Sequence, residues 1–233
     1  MLHQLTSNPL FGLILSIFIY LLGVRLYERF PKPWATPLLV ATIAIILILK
    51  VTGISYKDYY QGGSYLNTLI APSTVALGIP LYKTFHLMKH HARSIILGIG
   101  IGTIINTVIT ALLAKAFGLK QVVALSIFPK SVTTAMAIGI SEKMHGVLTI
   151  TLVVVVATGI LTSVIGAELL KWFHIDDPVA KGIALGATGH AIGTGKAMEI
   201  GRVEGAMAGL SIGVTGIMYV IFAPIAAQVI LGS

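Results

Sequence analysis

From Gly205 to Leu231 the chain carries no charged residue. A run of that length crosses the ~30 Å hydrocarbon core of a bilayer. Lipid offers peptide groups no hydrogen-bond partner, so such a segment is restricted to a helix or a closed barrel. The rest of the sequence has the same character. Of the 233 residues, 56% are hydrophobic and 10% charged, with mean hydropathy +0.93, whereas a soluble domain carries about 25% charged residues. Too few charges remain to cover a water-facing surface. The expected fold is an all-α polytopic membrane protein, one transmembrane domain over residues 1–233.

Further apolar runs extend from Pro9 to Val24, Ala35 to Leu49, Ser64 to Tyr82, Ser94 to Ala114, Val122 to Ile140, Val147 to Leu170 and Val179 to Ile200. Counting each as one crossing gives about eight spans. The basic loops from Arg25 to Pro33 and from Lys83 to Arg93 then share the cytoplasmic side. Asp176 and Asp177 fall outside, and any broken segment that re-enters would flip everything after it. The stretch before Pro9 has no basic residue, and no small-residue cleavage site follows the first run, so that run reads as a retained span. In a soluble protein the net charge of +8 would point to nucleic acid; here it sets orientation, and no nucleic-acid partner is expected. With no cysteine, disulfides and thiolate metal sites are excluded.

Three of the apolar runs are interrupted. Thr188-Gly189-His190-Ala191-Ile192-Gly193-Thr194-Gly195-Lys196 is rich in glycine, hydroxyl and basic residues. At membrane depth such backbone persists only where protein buries it or where it lines a cavity. Phe128-Pro129-Lys130-Ser131-Val132-Thr133-Thr134 is the second break. Pro129 removes a backbone donor and the helix restarts beyond it. Its first N–H groups would carry partial positive charge and form an anion site in outline. A plain proline kink, with hydroxyls bonded back to their own helix, is the alternative. Asn67, Pro72, Ser73 and Thr74 form the third break, which either completes a site or only bends the chain. The breaks near Pro72, Pro129 and Gly186 recur roughly every 57 residues, as do Gly102 and Gly159, and discontinuous helices in corresponding positions point to a transporter site with internal repeats.

The candidate substrate-binding residues are therefore Lys130, Ser131, Thr133, Thr134, His190, Gly193, Thr194 and Lys196, with Asn67, Ser73 and Thr74 from the third break. Two opposed helix starts meeting near the midplane would suit a small carboxylate. His190 and Glu199 are candidates for proton coupling, although Glu199 and Arg202 also have the spacing of an interfacial ion pair. His86, His90 and His91 lie among Lys83, Lys89 and Arg93, which would repel a metal. Gly98, Gly100 and Gly102 read as a helix-packing face, and small-residue faces of this kind support a homodimer. A phosphate loop fails, because it would need Gly at His190 and Ser or Thr at Ala197. No nucleophile–base–orienter set can be assembled. No enzyme activity and no cofactor are expected.

The ordered motifs also resemble a known family. They are Ala71-Pro72-Ser73-Thr74-Val75-Ala76-Leu77-Gly78-Ile79-Pro80-Leu81-Tyr82, Pro129-Lys130-Ser131-Val132-Thr133-Thr134 through Gly139-Ile140-Ser141-Glu142, Asp177-Pro178-Val179-Ala180-Lys181-Gly182, Gly189-His190-Ala191-Ile192-Gly193-Thr194 and Glu204-Gly205-Ala206-Met207. Together they resemble the LrgB/CidB family over nearly the whole chain, with Ala71 and Ala135 where that pattern has Gly and Pro. The resemblance implies a bacterial inner-membrane protein with an antiholin-like or holin-like label, tied to murein hydrolase control, and a membrane partner of the LrgA/CidA type. The family is also similar to the C-terminal half of the plastid glycolate/glycerate translocator. That similarity implies carriage of small carboxylates such as glycolate, glycerate, lactate or pyruvate, and with the polar broken segments the expected function is a proton-linked carrier working by alternating access.

Overall fold

The computed structural model describes residues 8–32, 35–69, 72, 75, 79, 82 and 85–232. They fall into two compact units, residues 1–77 and 78–233. Helix dominates, as apolar sequence in lipid requires. Among the described residues four helices are long and apolar enough to cross a membrane, at Leu10–Arg29, His91–Ala116, Leu148–Trp172 and Arg202–Leu231, and Pro37–Thr52 is a shorter apolar helix.

In the first unit, α1 (Pro9–Arg29) starts at Asn8, whose side chain accepts from the Leu10 amide. Helix α2 (Pro37–Thr52) ends on Gly53 in the left-handed conformation. Helix α3 (Tyr56–Gly63) is capped by Ser55. Both pack on α1. Gly12 lies against the Tyr59 carbonyl, where any side chain would collide with backbone, and Ser16 Oγ bonds the Tyr59 hydroxyl at 2.8 Å.

The second unit comprises α4 (Phe85–Ala116), α5 (Gln121–Ile127), a 3-10 turn (Phe128–Ser131), α6 (Thr134–Lys143), α7 (Leu148–Trp172), α8 (Pro178–Ile200) and α9 (Arg202–Ala226), which ends in a π-helical turn, Ala227–Leu231. Its polarity is inverted relative to a soluble protein. Thr103, Thr107, Ser126, Ser141, Thr151 and Ser211 are buried, while Ile101, Ile105, Val153, Ile217, Val220 and Ile225 are exposed. Most of the buried hydroxyls bond carbonyls of their own helix or of a neighbour, as with Thr107 to Thr103, Ser126 to Val122, Thr151 to Ser126 and Ser211 to Ala208.

Helix directions follow from residue pairs. Gly100 lies by Met218, Asn106 bonds Tyr219, and Ala111 shares a core cluster with Ala223 and Ala227, so α4 and α9 run parallel. The first part of α8 runs parallel to α9, since Gly182 lies on Glu204 and Met207 and Gly186 on Ala208 and Ser211. The same part runs antiparallel to α7, with Gly166 on Leu185 and Gly189 on Thr162.

Helix α8 does not continue straight. At His190 the backbone takes φ 44°, ψ −129°, and beyond it Gly193 returns against the carbonyl of Leu185. The segment is thus a hairpin with arms 178–189 and 191–200. At 1.5 Å per residue the arms rise about 18 and 15 Å, roughly half the hydrocarbon thickness. The earlier break has the same form. Ser126 of α5 bonds the Val147 amide at 2.7 Å, and Thr151 bonds both Ser126 and Ser141. The end of α5 and the end of α6 therefore lie together, at the start of α7, and the chain between them reverses. One hairpin enters from each end of the unit, and both tips rest on the middle of α7. Thr133 and His190, where the second arms begin, are 57 residues apart, the spacing of the sequence rhythm, and the two halves run in opposite senses.

This geometry changes the expected topology. The two broken segments turn back rather than cross, so the eight-span count is not reached among the described residues. Asp177 was expected on the face opposite the basic loops, yet it lines the same cavity as His91.

Gly193 and Gly195 separate packing from propensity. A Cβ at Gly193 meets the Leu185 backbone, whereas at exposed Gly195 it meets nothing within 4 Å. Gly193→Ala is expected to destabilise by about 1–3 kcal/mol, and Gly195→Ala to stabilise by up to about 1 kcal/mol. Thermal unfolding of the purified variants in detergent gives the order; equal effects would argue against the hairpin.

Candidate functional site

A cavity of about 610 Å³ lies inside the second unit, between α4, the first hairpin tip, the first arm of α8 and Tyr219 of α9. One end holds His91, Ser94 and Asp177, which stand near the starts of α4's apolar stretch and of α8. The other end holds Asn106, Lys130, Ser131 and Tyr219. Asn106 follows His91 by about 22 Å of helical rise, so the cavity carries polar groups deep into the unit.

The deep end is built from a broken helix. Pro129 has ψ 26° and ends the α5 direction, and Val132 is extended. The 3-10 turn between them faces Lys130 and Ser131 toward α4. Lys130 Nζ donates to Asn106 Oδ1 and to Thr110 Oγ1, each at 2.6 Å. The Asn106 amide nitrogen donates to Ser131 Oγ at 3.3 Å and to the Tyr219 hydroxyl. Thr110 in turn bonds the Asn106 carbonyl. Phe128 and Val132 on either side are buried with Val155 and Tyr219 in one apolar cluster, which anchors the turn.

Lys130 is half-buried, and its partners are all neutral. No carboxylate among the described residues lies within salt-bridge distance of it; the ion pairs there are Lys171–Glu168, Lys181–Asp176 and Lys196–Glu199. A cation held this way leaves room for an anion.

The remaining candidates take other positions. Thr133 caps α6, its hydroxyl accepting from the Met136 amide at 3.5 Å, so the helix start proposed for an anion already has a protein partner. Thr134 is exposed and does not line the cavity. His190 is 5% exposed and turned into α7, with Nε2 at 3.1 Å from the Val155 carbonyl. Its ring fills the space left by Gly159, where a Cβ would stand 2.9 Å from Cε1. Thr194 bonds back to the His190 carbonyl, and Gly193 allows the close pass of the two arms. Lys196 pairs with Glu199 at 2.8 Å on the second arm, which replaces the expected Glu199–Arg202 pair. Neither Lys196, His190 nor Glu199 lines the cavity. Ser73 and Thr74 lie outside the described residues, as does the side chain of Asn67.

Near its tip the second hairpin contributes Ala187 and Thr188 to the cavity, so of the interrupted run only its first residue lines the hollow. Asn106, Thr110 and Tyr219 were missed. Asn106 was findable, as the one amide in an otherwise apolar span. Gly98 and Gly102 line the cavity and have no atom within 4 Å of a built Cβ, and Gly100 has only the Met218 tip at 3.9 Å. The expected packing face is a cavity wall.

Residues 16–229 match the family model described as the LrgB-like family. Uncharacterized protein YwbG of Bacillus subtilis (strain 168) is 37% identical over 213 residues, covering 91% of this chain and 95% of the relative. Uncharacterized protein YxaC of the same organism is 37% identical over 91% of this chain and 93% of its own length. Antiholin-like protein LrgB of Bacillus mycoides (strain KBAB4) is 36% identical over 220 residues, 94% of this chain and 96% of the relative. No solved structure matches the chain.

At His190 the positive φ favours glycine over any residue with a Cβ by about 1–2 kcal/mol. His190→Gly is therefore expected to be more stable than His190→Ala by about that amount, the reverse of their order inside a regular helix. Thermal unfolding of the two variants checks the hairpin turn directly.

Proposed function

The chain belongs to the LrgB-like family, and from that membership and the cavity we propose that it is a membrane carrier of small monocarboxylates of the glycolate, glycerate, lactate or pyruvate type. The observation that carries this reading is Lys130, held at the deep end of a cavity by neutral groups alone. Leaving a cation without a counterion in apolar surroundings is costly. A bound carboxylate removes that cost, with Ser131, Asn106 and Tyr219 in reach as hydrogen-bonding partners. One cation calls for one carboxylate.

The opposed hairpins support alternating access, because half-depth elements entering from two ends can each close one route to a shared site. Lys89, Arg93, Lys171, Lys181 and Arg202 cluster toward the His91 end, against Lys115, Lys120 and Lys143 at the other, which under the positive-inside rule opens the cavity to the cytoplasm of a bacterial inner membrane. Proton coupling draws no support from the positions of His190 and Glu199. A homodimer and an LrgA/CidA-type partner remain part of the proposal through the family resemblance.

A second reading, an antiholin-like oligomeric regulator of murein hydrolases and lysis, is favoured by the name that the Bacillus mycoides relative carries. It requires free packing faces. Gly159 and Ser163, small residues one helical turn apart on α7, are both buried in the second unit, with Gly159 occupied by the chain's own His190.

Uptake of labelled pyruvate or glycolate into proteoliposomes separates the two. Lys130→Met and Asn106→Asp, which supplies an internal carboxylate, are each expected to reduce uptake roughly 10–100-fold, while Lys143→Met leaves it unchanged. If the intact protein moves neither acid but still alters lysis in cells, the regulator reading replaces the carrier.

A further inference from the structure

The cavity is larger and more apolar than a two- or three-carbon acid needs. Its charged groups stand at the two ends, Lys130 beside Asn106 at the deep end and Asp177 beside His91 and Ser94 at the other. From the deep end toward the mouth the facing walls are Ile95 and Ile99 on α4 and Val179, Ile183 and Ala184 on α8, without a charge until His91 and Asp177. We infer that this stretch is a second, apolar subsite that takes the aliphatic tail of the same monocarboxylate whose head group is bound at Lys130. This deepens the proposed function and rests on its anion site. The substrate class becomes monocarboxylates with an aliphatic chain of several carbons, straight or branched, with glycolate filling only the inner end.

Two glycines on α4 support the assignment. Gly98, Gly102 and Asn106 are spaced by four residues and share one helix face. Each glycine costs a helix interior about 1 kcal/mol relative to alanine, so a structural reason is expected. Close packing is that reason at Gly182 and Gly186, which lie on the backbone of α9. At Gly98 and Gly102 nothing stands within 4 Å of a built Cβ. Any side chain there would enter the cavity, and the glycines keep its long axis clear. At the mouth, Asp177 caps α8 through the Ala180 amide and places a carboxylate where the far end of a long substrate arrives. Like charges repel, so a dicarboxylate is disfavoured and an apolar tail is not.

The test is competition against labelled pyruvate uptake in proteoliposomes, using sodium acetate, propionate, butyrate, pentanoate, hexanoate and 4-methyl-2-oxopentanoate, with n-alkylammonium ions of equal length as controls. Inhibitory potency is expected to rise about 3–4-fold per methylene before levelling, with no inhibition by the ammonium series. Gly102 lies about 6 Å from Asn106 along the helix and Gly98 about 12 Å. Gly102→Leu should therefore level the series at a shorter chain than Gly98→Leu, and Gly102→Ala should give a smaller shift in the same direction. A flat series in a protein whose pyruvate uptake still depends on Lys130 overturns the apolar subsite and leaves the anion site standing. A rise that neither leucine variant alters reports partitioning into lipid and overturns it as well. If the intact protein takes up no carboxylate, the anion site falls and this subsite falls with it.

Discussion

The second unit depends on one junction, where the middle of α7 receives both hairpin tips. Helix-breaking backbone at membrane depth must be enclosed by protein, and α7 provides that enclosure on both sides. Val155 packs with Phe128 and Val132 of the first tip, and its carbonyl meets the imidazole of His190 in the second. Gly159, one turn later, leaves the notch that the ring fills. A larger residue at Gly159 would expel His190, and with it the turn that reverses α8. The cavity follows from this arrangement, since the tips meet α7 while α4 and α9 frame the space beside them.

How much of this was legible in the sequence depended on whether a feature has a local chemical signature. Breaks at Pro129 and near Gly189 were legible, because proline and clustered glycine act on the backbone wherever they stand. Their recurrence at a fixed spacing was legible too. The direction of the chain after each break was not. Each arm is apolar, and an apolar arm looks the same whether it goes on or comes back. Contacts across each turn distinguish the two, Thr151 with Ser126 and Ser141 at the first and Gly193 on Leu185 at the second, where the chain reverses at His190.

The site was half legible for a similar reason. Lys130 stood out because a lysine in an apolar segment is expensive. His190 and Lys196 stood out by the same logic, yet one is buried as a packing ring and the other is paired with Glu199 on its own arm. Residue type gave the cost of burial and not the partner that meets it. The polar frame of Lys130 comes from Asn106 and Thr110 on α4 and from Tyr219 on α9, in helices that otherwise read as uniform lipid-facing spans. Gly98 and Gly102 mark the same limit. A glycine stripe that lets a neighbour approach and one that keeps space empty are spelled alike, and distances alone tell them apart.

Both tips are seated on the same short stretch of α7, which links them mechanically. Neither can slide along that helix without changing the surface on which the other rests. Two gates with separate seats could open together and leave a continuous wet channel, short-circuiting the ion gradients of the cell. Under the proposed carrier function, two gates on one fulcrum would exchange positions instead, and tightness against leakage would lie in the skeleton, with no need for a latch of its own.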